Sequence, residues 1–176
     1  IVMALQTIVS RNIAAVHPAV VTVGSFHGGS VSNIIPEAVK LVAGIRTFDS
    51  QVREKIQQRI QSIARHQAQS YGCDVSIDFQ ASYDATINDP ASTKLLKAQA
   101  IAYAGADRVV DLPDPVMGSE DFTYMLQACP GALFFLGTGA PEKSQPLHHP
   151  GYDFNDDALA IGAGFWVHLI ESILPM

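Results

Sequence analysis

Two adjacent histidines, His148 and His149, lie shortly before Asp153 and Asn155 in the last third of the chain. A neutral imidazole nitrogen binds divalent cations, and loops that follow strands in α/β folds are where sites form. Adjacent side chains diverge, so one ion would take one histidine of the pair; a polar loop that binds nothing is the other reading. Glu120 and Asp121, after Ser119, offer two carboxylates. They suit a metal or a substrate amine, and they equally suit the positive end of a helix dipole. Arg46 carries a planar guanidinium whose fork matches the two oxygens of a carboxylate, and Asn33 could add an amide donor to the same anion. A solvated edge arginine and a simple turn asparagine are the alternatives. His66, His168 and His17 read as structural or solvated, and His27 stands beside the Gly28-Gly29 turn, where it could face a ligand. The sequence contains no HExxH, Walker loop, GxSxG or CxxC. Cys73 has no basic neighbour to activate it, so no nucleophile–base pair can be named.

Hydrophobic spacing indicates the elements that must position these groups. Ile1, Ala4, Leu5, Ile8 and Val9 recur at helical spacing with no capping residue ahead of them, so the helix is expected to begin upstream of residue 1. Residues 19–26 read as a strand, and residues 37–48 as a second one that puts Arg46 on its polar face. Asp49 or Ser50 caps a helix with an apolar stripe of Val52, Ile56, Ile60, Ile63 and Ala64, stopped at Gly72. Residues 74–83 alternate strictly and predict a half-buried strand. The order helix–strand–strand–helix–strand fits a two-layer sandwich lacking its first strand, the split βαβ pattern.

After Asn88 the character changes. Asp89 and Pro90 start a helix that ends at Gly105. Val109-Val110 predicts a short strand, Ser119 caps a helix that stops at Pro130-Gly131, and residues 132–136 (ALFFL) read as a strand buried on both faces. Residues 140–155 form a loop, and Asn155 caps the last helix. The fold class is therefore α/β: a partial two-layer lid, an antiparallel sheet with two helices, over residues 1–84, then an α/β portion over residues 85–176.

Composition narrows the classes. Of 176 residues 48% are apolar and 16% charged, which excludes a disordered polyelectrolyte. With 11 Lys plus Arg against 17 Asp plus Glu, the net charge is −6, which disfavours nucleic acid and anionic membranes as partners. The longest nearly apolar stretch, residues 158–170, is shorter than the about 20 residues needed to span a bilayer. Two distant cysteines define no disulfide framework and suggest a reducing, cytoplasmic setting.

Four segments together resemble one family. They are residues 20–29 (VVTVGSFHGG); Asn33-Ile34-Ile35-Pro36 leading to Ile45-Arg46-Thr47-Phe48-Asp49; Met117-Gly118-Ser119-Glu120-Asp121-Phe122; and residues 147–156 (LHHPGYDFND). In this order they are similar to the C-terminal part of the metal-dependent amidohydrolases that include hippurate hydrolase, N-acyl-amino-acid amidohydrolases and auxin-conjugate hydrolases, within the aminoacylase–carboxypeptidase metallopeptidases. The resemblance implies a catalytic domain with a two-metal centre, zinc or manganese, and an inserted lid that also makes a homodimer. It assigns His148 to the metal, Asn33 and Arg46 to the substrate's carboxylate end, Gly139 to the pocket lining, and Glu120 and Asp121 to the neighbourhood of the active site. His149 falls on a variable position of the family pattern, and Asp84 stands where a proline is common.

The segments expected to supply the other metal ligands, the general-base Glu and the lid histidine would precede residue 1. The implied activity, amide cleavage of N-acyl amino acids, is therefore expected of a complete enzyme rather than of this stretch alone. A non-catalytic lid or dimerisation module and a peptide-cleaving carboxypeptidase-like member are the alternatives. A stretch of this kind is also expected to expose apolar surface that a whole enzyme would bury.

Overall fold

The computed structural model describes residues 1–80, 83–139 and 145–174. The chain divides into two compact units: Ile1–Ala85 together with Val116–Glu120, and Thr86–Pro115 together with the chain from Asp121 onward. Among the described residues there are five α-helices and one two-stranded antiparallel sheet, a mixed α/β fold. No helix of the described residues is long and apolar enough to cross a membrane.

The first unit holds α1 (Val2–Asn12), β1 (Ala19–His27), β2 (Lys40–Thr47) and α2 (Ser50–Ser70). Strand side chains alternate between faces, so pairing Val21 with Ile45 and Val20 with Arg46 sends one pair to the helices and the other away from them. Leu5 and Ile8 of α1, Val21 of β1, and Val52, Ile56 and Ile60 of α2 form one buried core. The α2 stripe continues at fourfold spacing through Ala64 and Ala68. Asp49 begins α2 by accepting the amides of Gln51 at 2.7 Å and Val52 at 3.2 Å. Gly72, at φ +66, ends it, and the Cys73 amide returns to the Ala68 carbonyl at 3.0 Å.

The strand expected over residues 74–83 is not found among the described residues of that range. Ala81 and Ser82 lie outside the described residues. Over residues 74–80 the alternation survives as burial, with Val75, Ile77 and Phe79 half-buried and the residues between them exposed. Phe79 packs on the core of the first unit, but no ladder forms over residues 74–80. Period-2 hydrophobicity chooses a buried side; it does not supply a hydrogen-bonding neighbour.

The second unit holds α3 (Pro90–Ala104), a 3₁₀ turn (Ala106–Arg108), α4 (Phe122–Ala128) and α5 (Asp157–Ile173). Asp89 caps α3 through the Ser92 amide at 2.7 Å, with Pro90 inside the first turn. α3 packs on α5, and the Tyr103 side chain fills the space beside Gly164, where a Cβ would collide with its hydroxyl. Tyr103, Phe134, Phe165, Trp166 and His168 form an aromatic cluster, with Tyr103 and His168 ring centroids 5.5 Å apart.

Four further expectations are corrected in this unit. Residues 132–136 form no ladder strand, because the Asn88 side chain occupies the main chain there. It donates to the Leu133 carbonyl and accepts the Leu133 amide, both at 2.8 Å. Val109-Val110 is likewise no strand. α4 starts at Phe122 with Asp121 at its cap position, two residues beyond Ser119, and no side chain caps it. Its seven residues leave little dipole to reward an upstream cap. At α5 the cap position falls on Asp156, one residue beyond the expected Asn155, and no side chain caps the helix; Asn155 accepts the Asp157 amide at 3.1 Å in the turn that leads into it.

Candidate functional site

The sheet face that turns away from α1 and α2 carries Val20, Thr22 and Gly24 on β1 and Gly44 and Arg46 on β2. Together they line an open hollow of about 280 Å³. Glycine within a strand marks a bulge or a close approach. Gly24 sits where the register shifts between Val23 and Ser25. A Cβ at Gly44 would meet nothing within 4 Å, so the floor of the hollow is low by choice of residue rather than by crowding.

Arg46 stands exposed at this hollow, directly opposite Val20. Its Nη1 donates to the main-chain carbonyl of Met117. A guanidinium has five N–H donors, so one bond to a carbonyl leaves the fork for a carboxylate unspent. Asn33 belongs to the same unit and lies exposed in the turn over residues 31–34. Among the described residues no hydrogen bond joins Asn33 to Arg46. Glu120 is half-buried within the first unit, whereas Asp121 is exposed and belongs to the second.

His148 and His149 are both exposed and belong to the second unit. They differ in local geometry. The His149 amide closes a turn onto the Pro146 carbonyl at 3.1 Å, which places His148 at φ +71. A non-glycine residue in that region costs on the order of 1 kcal/mol, and such residues cluster at functional sites. The Nδ1 of His149 accepts the Gly151 amide at 3.0 Å, so one of its two nitrogens is spent locally. His148 has no such engagement. Gly139, exposed at φ +151, needs to be glycine, and a Cβ there would approach the Asn155 amide nitrogen at 3.9 Å.

Among the described residues no group of three or more His, Cys, Asp and Glu could hold a metal ion. The donors among the described residues therefore do not assemble a metal centre by themselves, since protein zinc sites use three or four ligands. The remaining histidines lie outside this geometry. His66 pairs with Ser62 on α2 at 3.4 Å, and His17 lies 3.9 Å from Asp49. His27 ends β1 in an exposed position, and His168 stacks on Tyr103 with its Nε2 buried and unbonded. Cys73 and Cys129 are exposed and free. Sequence reading missed the Met117 carbonyl, which no side-chain pattern can signal. It also missed Gly24 and Gly44, where two strand glycines were the available signal.

Comparison with known proteins extends the picture. The profile described as peptidase family M20/M25/M40 matches residues 6–172. An N-acetyldiaminopimelate deacetylase of Streptococcus thermophilus is 40% identical over 159 residues, covering 89% of this chain and 40% of the relative. An N-acetyl-L-cysteine deacetylase of Bacillus subtilis is 33% identical over 168 residues, covering 96% of this chain and 39% of the relative. The chain thus spans about two fifths of the length of these curated relatives. Among solved structures, a protein from methicillin-resistant Staphylococcus aureus aligns with a TM-score of 0.76 at 29% identity, covering 96% of this chain and 43% of that one. The Bacillus subtilis YXEP protein, described as a dinuclear metal-binding peptidase, aligns with a TM-score of 0.73 at 21% identity over 98% of this chain and 45% of that one, a likeness of fold.

Proposed function

The chain belongs to peptidase family M20/M25/M40, and on that premise we propose that its protein is a metal-dependent hydrolase that cleaves the amide bond of N-acyl amino acids. The single observation that carries this reading is Arg46, a charged fork with unspent donors standing over a glycine-floored hollow. Two relatives are named as deacetylases of N-acetylated amino acids, whose common feature beside the amide is a carboxylate.

In this reading residues 1–84 are the lid and residues 85–176 the C-terminal part of the catalytic domain. Arg46, with Asn33, holds the substrate carboxylate, which fixes the amide relative to the reacting centre and removes much of the entropic cost of reaction. Gly139 lines the pocket, and Glu120 and Asp121 stand near it. His148 is the metal ligand this stretch contributes; the metals, two divalent ions such as zinc or manganese, would polarise the amide carbonyl and activate water. The donors described here do not complete that centre, so no step of the reaction is assigned through it. A hippurate-like substrate, a homodimer formed through the lid and a cytoplasmic location belong to the same proposal; the two free cysteines support the last.

A second reading has its own observation. Because the described residues contain no three-donor cluster, the chain could act as a non-catalytic lid or dimerisation module. Assaying the complete product of the gene separates the two readings. Hydrolysis of N-acetyl amino acids or hippurate supports the first, exclusive cleavage of dipeptides would make the protein a carboxypeptidase-like member, and no turnover with full metal supports the module.

A further inference from the structure

The segment Val116–Glu120 is flanked on both sides by residues of the second unit, yet it belongs to the first. Its Met117 carbonyl accepts a hydrogen bond from Arg46 Nη1, a bond that bridges 71 positions of sequence. Met117 itself is half-buried, and Glu120, three residues on, is half-buried as well. The proposed carboxylate clamp thus also touches the main chain that carries a candidate active-site acid. We propose that Arg46 is a positioning residue in addition to its clamp role: its guanidinium seats the 116–120 segment against β2 by holding the Met117 carbonyl, and so fixes the main chain from which Glu120 projects. A guanidinium can do both because its donors are arranged around a plane; one N–H serves the carbonyl while another edge remains for a carboxylate. A cation on a carbonyl also makes a stronger bond than a neutral donor would. The seating requires no substrate, so it stands or falls separately from the amidohydrolase reading.

The sequence offers a direct probe. Met117-Gly118 is the one Met-Gly pair among these 176 residues, so labelling Met with carbonyl ¹³C and Gly with amide ¹⁵N gives a correlated NMR peak for this bond, identified by its loss in Met117→Leu. That peak reports the Met117 carbonyl itself, and a carbonyl that loses a hydrogen bond moves upfield. Arg46→Met is expected to shift the peak upfield. Arg46→Lys, which keeps a cationic donor of similar reach but loses the planar fork, is expected to shift it less. The buried Ile8 and Ile56 methyl resonances show that each variant still folds. An unmoved peak in Arg46→Met, or a move in Arg46→Lys at least as large, would overturn the proposal. Because both variants lose the planar fork, loss of substrate binding by the complete protein in both, with the larger peak shift in Arg46→Met, separates the two roles of the residue.

Discussion

At the scale of single residues, Arg46 has the most to lose. Replacing Arg46 with Ala in the complete protein should reduce kcat/KM for an N-acetyl amino acid roughly thirtyfold. That corresponds to about 2 kcal/mol, the scale of a charge-assisted hydrogen-bonded pair. The same substitution should cost much less when the substrate's carboxylate is replaced by a carboxamide; equal losses on both substrates would remove the clamp. His148→Ala should lower the metal content of the complete protein, while His149→Ala should leave it intact, because the His149 nitrogen is committed to Gly151. Asp89 gives a pH prediction. The Ser92 amide, then the Ser92 hydroxyl, hold its carboxyl below the usual carboxylate value. Its folded value is depressed, so its contribution is fully present above the unfolded value of about 3.9 and is lost as pH falls through the lower, folded one. Asp89→Asn should keep much of the cap and flatten that acid limb of stability; an unchanged acid limb would mean the Ser92 contacts are not made in solution. Residue types and spacing made Asn33, Arg46, Glu120 and His148 legible as candidates. They could not show the Met117 carbonyl, which every residue possesses in the same form.

At the scale of elements, what was legible divides along a physical line. Helices α1, α2, α3 and α5 satisfy their own backbones, so local signals sufficed to place them: Asp49 and Asp89 bond the first-turn amides expected of them, and α1 and α5 were legible from their apolar runs without a side-chain cap. Strands depend on neighbours. β1 and β2 were legible because each is the other's partner, whereas residues 74–80 and 132–136 carry strand-like patterns without a ladder. In the second case Asn88 performs with one side chain the bonding that a neighbouring strand would provide. The α3–α5 contact yields a packing test. Gly164→Ala drives a Cβ into the Tyr103 hydroxyl and should destabilise the fold by about 1–3 kcal/mol, read as a lower urea midpoint in Trp166 fluorescence. Tyr103→Phe in the same chain should recover most of the loss, since the next ring atom stands at 3.3 Å. A Gly164→Ala midpoint equal to the parent's would show that the helices are not that close. In the first unit, Ile56→Ala should cost about 2–5 kcal/mol, because Ile56 is fully buried at the centre of the core; a loss well under 1 kcal/mol would place that core elsewhere.

At the scale of the whole molecule, 176 residues and a charge of −6 disfavoured nucleic acid and anionic membranes as partners but named no activity. The ordered set of four segments did, and the family match over residues 6–172 rests on nearly the whole chain. Part of the apolar content is explained by where it sits. On α5, Trp166, Val167 and Ile170 are about half exposed although the helix is apolar along most of its length. The chain spans about two fifths of these curated relatives, and among the described residues its donors assemble no metal cluster, whereas Arg46 and the strand glycines Gly24 and Gly44 line one hollow. The central claim is a metal-dependent cleavage of N-acyl amino acids, and the most direct measurement is the rate at which the complete product of the gene releases free amino acid from an N-acetyl amino acid, before chelation, after it, and after metal is returned. The account predicts turnover that disappears with the metal and returns with it. Turnover indifferent to the chelator, or no turnover of any N-acyl amino acid by the metal-replete protein, would contradict it.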